Sequence, residues 1–137
     1  MGTGSHGWID YDYALVRVVP HVHLGVFVNV GVLLFAPAAR FLGARLALDP
    51  EVLAGCGPGL DVDQALRSLR AIEHVCAGGP DSGPIGQLPI SERFHWLTAP
   101  RSAVVQTSPV HGGRARDVEA ALLHVFERCI PGRPTQA

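Results

Sequence analysis

The sequence predicts an α+β domain: an antiparallel sheet of about five strands, an N-terminal three-stranded meander plus a later hairpin, with two amphipathic helices packed on it. Three observations carry that expectation. The first third of the chain is dense in β-branched residues cut by short proline and glycine turns. Two later stretches repeat apolar residues at helical spacing behind an aspartate. No internal repeat or linker divides the 137 residues, a usual size for one core.

Taken in order, residues 1–9 are expected to be a flexible lead, residues 10–131 the domain and residues 132–137 a flexible tail. Asp10 to Val19, rich in valine and tyrosine, reads as a strand ending at Pro20. Val26 to Phe35 is apolar on both faces, the mark of a central strand covered above and below. A short turn over residues 37–40 leads into Phe41 to Leu48, and connections this short favour an antiparallel meander. Asp61 is placed to cap a helix, with Gln64 three residues on. Val62, Ala65, Leu66, Leu69, Ile72 and Cys76 then form one stripe, ended by Gly78 and Gly79. Residues 78–89, crowded with glycine and proline, read as a loop without periodicity. Phe94 to Thr98 and Ala103 to Thr107 read as two short strands joined across Pro100 and Arg101. Asp117 caps the last helix, whose buried face runs Val118, Ala121, Leu122, Val125, Phe126 and Cys129 before Pro131-Gly132 stops it.

Composition narrows the chemistry. The net charge is −1 and the arginines are scattered, so there is no basic footprint for nucleic acid. Charged residues make up 17%, few enough that part of the surface should be apolar and covered by a partner or a second copy. All eleven basic residues are arginine. A lysine-free chain cannot form a Schiff base, anchor pyridoxal phosphate or build a Walker-type phosphate loop. Cys56, Cys76 and Cys129 are odd in number and widely spaced, which argues for reduced cysteines in the cytoplasm rather than a zinc knuckle or a disulfide framework. The start shows no signal peptide, and the longest apolar run, residues 26–35, is far short of the ~20 a membrane helix needs. No cofactor and no membrane association is expected.

Few constellations could carry chemistry. His21-Val22-His23 sets two imidazoles on one side of an extended segment, but no third ligand follows closely, so no metal site is assigned. The glycine-rich stretch 78–86 lacks the GxGxxG order of a phosphate loop and reads as a covering loop. The richest stretch runs from Ser91 to His111. Arg93, His95, Arg101, Ser102, Ser108 and His111 form the candidate ligand-binding set, with Trp96 and Gln106 among them. Were Phe94 to Thr98 a strand, Arg93 and His95 would share one face while Phe94 and Trp96 fill the interior. Guanidinium forks suit carboxylates and phosphates, and imidazole exchanges protons near neutral pH. The plainer reading gives these side chains structural hydrogen bonds. There is no GxSxG elbow and no HExxH helix, and His95 and His111 lack the following Thr or Ser of two-histidine phosphoesterases. Asn29, in the middle of a core strand, must find partners, and with Arg17 it is expected to be a structural polar residue that pins register or a loop.

Several blocks resemble a known family. They are residues 11–20 (YDYALVRVVP), 27–35 (FVNVGVLLF), 93–97 (RFHWL), 99–102 (APRS) and 108–111 (SPVH). In that order they look like the bacterial domain-of-unknown-function family 3037, over about residues 10–130. The resemblance implies a small bacterial protein without an agreed activity, whose genes can lie beside one for a HipA-like kinase. A charged Arg/Glu pattern commonly precedes the Phe-Val-Asn block in that family. Here the segment reads His23-Leu24-Gly25-Val26, so no acidic role carries over. The function expected is a non-enzymatic binding or accessory domain acting through a protein partner, such as a HipA-like kinase, or through self-association. The alternative is a small enzyme or ligand-binding protein that handles a phosphate- or carboxylate-bearing molecule with the Arg/His cluster.

Overall fold

The valine- and tyrosine-rich run near the start forms β1 (Ile9–His21), and every other strand pairs with β1 or with its neighbour β2. The computed structural model describes residues 7–21, 25–101 and 103–130, with the side chain of His21 outside that description. β1 begins at Ile9, opposite Ala115, and so takes in the last residue of the expected lead. β2 (Val26–Ala36) returns antiparallel to β1. A 3-10 turn at Pro37–Ala39, closed by Arg40 at φ 52°, then leads into β3 (Phe41–Leu46). These three strands are the expected meander. The sheet is five-stranded and antiparallel, with β3, β2 and β1 side by side.

β2 shows why a strand apolar on both sides belongs in the middle. Val30 through Ala36 are all buried, yet they serve two separate cores. On one face Val16, Val18, Leu33 and Phe35 pack against Leu53, Ala65, Leu69, Phe94 and Leu97. On the other, Val32, Leu34 and Ala36 pack against Val118, Ala121, Leu122, Val125 and Phe126. The first layer consists of α1 (Pro50–Ala54), α2 (Val62–Ala77), α3 (Gly83–Gly86) and α4 (Ile90–Leu97). The second is α5 (Val118–Cys129) alone. Both expected helices start at their aspartates: Asp61 Oδ1 accepts from the Gln64 amide at 3.1 Å, and Asp117 Oδ1 from the amides of Glu119 and Ala120. Among the described residues no helix is long and apolar enough to cross a membrane.

The later hairpin is corrected. Phe94 to Thr98 is not a strand: Phe94 and Leu97 are the buried residues of α4, with Ile90 packed against the same core. These three sit at i, i+4 and i+7, a helical stripe. Trp96, which an alternating pattern would bury with Phe94, is 41% exposed. β4 (Val105–Thr107) does exist, but it pairs with Val16–Val18 of β1. β5 (His111–Ala115) pairs with residues 9–13 of the same strand. Together they form one edge broken at Ser108-Pro109, where proline has no N–H to give to a ladder. Ser108 bridges the gap. Its amide donates to the Leu15 carbonyl, its hydroxyl oxygen accepts from the Leu15 amide, and its hydroxyl donates to the Pro109 carbonyl, all at 2.8 Å. The loop over residues 78–89 also holds more order than expected, with a 3-10 turn at Pro80–Ser82 followed by the single turn of α3.

Candidate functional site

Three residues of the expected ligand set are committed to the fold or lie apart from the rest. Arg93 projects from α4 to the end of α2. Its Nε donates to the Leu88 carbonyl at 2.8 Å, and Nη1 donates to the carbonyls of Val75 and Cys76 at 2.9 and 3.1 Å. The carbonyls of Val75 and Cys76 stand at a helix end that the helix itself leaves unsatisfied. Gly78 keeps the approach open: at φ 72°, any β-carbon there would press on the Arg93 guanidinium. Ser108 is 4% exposed and bonded on every side, as described above. His111 lies on β5 opposite Tyr13, their rings 5.5 Å apart. Tyr13 packs with the α5 core, whereas Phe94 of α4 stacks on Phe35 in the other one. His95 and His111 therefore belong to opposite sides of the sheet, and the four-residue pocket is not assembled. Ser102 lies outside the described residues, as does the His21-Val22-His23 pair apart from the backbone of His21.

What the structure does bring together is His95, Trp96 and Arg101. The buried stripe of α4 turns Ser91, Glu92, His95 and Trp96 outward. With Leu88 and Ala99 they line a shallow, mostly apolar hollow of about 500 Å³. Arg101 does not line it but lies against Trp96, which does. Its guanidinium lies 4.6 Å from the centre of the Trp96 ring, and Nη2 donates to the Trp96 carbonyl at 2.7 Å. A second bond, from Nε to the Ala99 carbonyl, is longer at 3.4 Å. The guanidinium is thus held over the indole by a cation–π contact and a backbone hydrogen bond. Sequence reasoning had named His95, Trp96 and Arg101, in a stretch opened by Ser91, but missed Leu88, Glu92 and Ala99. The i, i+4, i+7 pattern of Ile90, Phe94 and Leu97 was the signal that could have found them.

Reactive pairs are scarce. Among the described residues the side-chain-to-side-chain hydrogen bond is Arg114 Nε to Asp10 Oδ1, 3.0 Å, between exposed groups on β5 and β1. No group of three His, Cys, Asp or Glu among those residues could hold a metal ion. Burial pushes the Cys76 thiol up to about 12, against a smaller opposing pull from Arg93, and it raises Cys56 as well. A thiol so placed stays protonated and is a poor nucleophile.

The two residues expected to be structural polar groups, Asn29 and Arg17, lie on the α5 side. Asn29 and Arg17 are direct partners across β1 and β2. Asn29 Nδ2 donates to the Cys129 carbonyl at 3.5 Å and so ties the last turn of α5 to the sheet. Asn29 Oδ1 and Arg17 Nε are buried without a partner.

A family model described as "Protein of unknown function (DUF3037)" matches residues 13–130. No curated protein and no solved structure matches the chain.

Proposed function

The chain belongs to the DUF3037 family, and on that premise we propose that it is a non-enzymatic binding domain that docks a protein partner on the outer face of α4. One observation carries the reading: an exposed tryptophan with an arginine locked across its ring, at the rim of an apolar hollow. Tryptophan and arginine are the side chains over-represented where partners bind most strongly, and immobilising them beforehand reduces the entropy lost on binding. The dispersal of His95 and His111 to opposite sides supports binding over acid–base catalysis, which needs both groups within reach of one substrate. The three unpaired cysteines fit a reducing, cytoplasmic setting.

The first partner to test is a HipA-like kinase taken from a genome in which the two genes are adjacent; the second is another copy of the chain. Co-expression followed by size-exclusion chromatography with light scattering distinguishes them. A heteromeric complex, or a concentration-dependent dimer, is expected for the native chain. The Trp96→Ala, Arg101→Ala double variant should weaken it at least tenfold, because hot-spot truncations each cost about 2 kcal/mol or more. A complex that forms equally well with the folded double variant places the contact elsewhere. A chain that stays monomeric and unbound at high concentration overturns the reading.

A further inference from the structure

Arg17 is a cation on an inner strand with no counter-charge among the described residues. Among the described residues it has neither an ion pair nor a hydrogen bond, and its Nε is buried. Its cross-strand neighbours are Asn29 on β2 and Gln106 on β4, both uncharged. Its guanidinium lies 3.8 Å from the centre of the Phe27 ring, and that ring is itself 46% exposed. Asn29 marks where α5 stops, since it bonds the Cys129 carbonyl in the last turn. Arg17, opposite Asn29, therefore lies level with the end of that helix, and Phe27 two residues beyond it. Burial also holds the guanidinium below its ordinary value, the sign of a charge short of solvation.

A partly desolvated charge without a counter-charge is costly, and chains seldom keep one that has no use. A methionine or leucine would cover Phe27 at lower cost. We propose that Arg17 and Phe27 form a receptor for a carboxylate carried on an apolar group, the carboxylate pairing with the guanidinium and the apolar part lying on the exposed ring. The carboxylate is favoured because a planar, two-oxygen anion matches the guanidinium fork. A polypeptide side chain and a free organic acid share this chemistry. The site is independent of the α4 hollow, which lies on the opposite face of the sheet.

The test is a titration followed by the nitrogen–proton NMR signals of the arginine Nε groups. The Arg17 signal is identified by its loss in Arg17→Met. The probes are benzoate, its neutral counterpart benzamide, inorganic phosphate, and the capped peptide acetyl-Leu-Glu-Leu-amide. Benzoate should move the Arg17 signal saturably, with a dissociation constant on the order of 10 mM, a weak affinity suited to one charge-assisted contact. Benzamide should move it at least tenfold less. A peptide that binds more tightly than benzoate identifies a polypeptide carboxylate as the source, and the reverse identifies a free acid. Arg17→Met should lose the response while its Tm rises by roughly 3 °C, as expected when a site kept for binding is relieved of an unpaired charge. A response equal for benzamide, a stronger one for phosphate, or none for benzoate overturns the proposal. So does a fall in Tm for Arg17→Met, which would make the arginine a structural brace. Trp96→Ala serves as the control: it should leave the Arg17 titration unchanged whatever becomes of the α4 surface.

Discussion

Arg93 shows how one side chain can hold two elements that have no covalent reason to meet. Its three hydrogen bonds end on carbonyls of Val75, Cys76 and Leu88, joining the end of α2 to the segment that enters α4. Removing a charged donor strands those acceptors, so Arg93→Met is expected to cost about 3 kcal/mol in urea unfolding. Arg93→Lys should recover less than half of that, because a single ammonium cannot span the fork. From the sequence, Arg93 next to His95 read as a clamp for an anion. Nothing local distinguishes a guanidinium that binds a ligand from one that caps a helix, because the deciding carbonyls lie up to 18 positions away. Trp96 was misplaced for a related reason. In eight residues, alternation and helical spacing both fit Phe94, and only Leu97 separates the two.

At the scale of elements, α2 and α5 were legible because their signals are local. Each has an aspartate at its start, apolar residues at regular spacing, and a breaker after its last turn. The meander was legible because its turns are short. Asp117→Ala, which leaves the amides of Glu119 and Ala120 without their acceptor, should cost about 1 kcal/mol, measurable as a lower denaturation midpoint with an unchanged slope. β4 and β5 were not legible as they stand. The expected hairpin joined Ala103 to Thr107 with Phe94 to Thr98, which is helical, and the five residues of β5 carried no strand signal of their own. Their common partner, β1, lies some ninety residues earlier, and only the finished core decides that pairing.

For the molecule as a whole, the buried thiol gives stability an alkaline limit. Cys76 is held from 9.0 up to about 12, and burial moves Tyr11 upward from 10.0. In both cases the unfolded chain releases its proton first. Stability is therefore full below about pH 9 and falls as the pH climbs toward 12. Urea midpoints should hold between pH 7 and 9 and drop by pH 11 for the native chain, and drop less for Cys76→Ala, whatever the lower starting point of that variant. The same architecture has a consequence for biosynthesis. β1 leaves the ribosome well before the strands that cover its far side, residues 105–115. Until residues 105–115 emerge, a thirteen-residue strand stands with one row of backbone donors and acceptors bare. Nascent chains halted before residue 105 should accordingly aggregate or recruit chaperones, and those released after residue 130 should not.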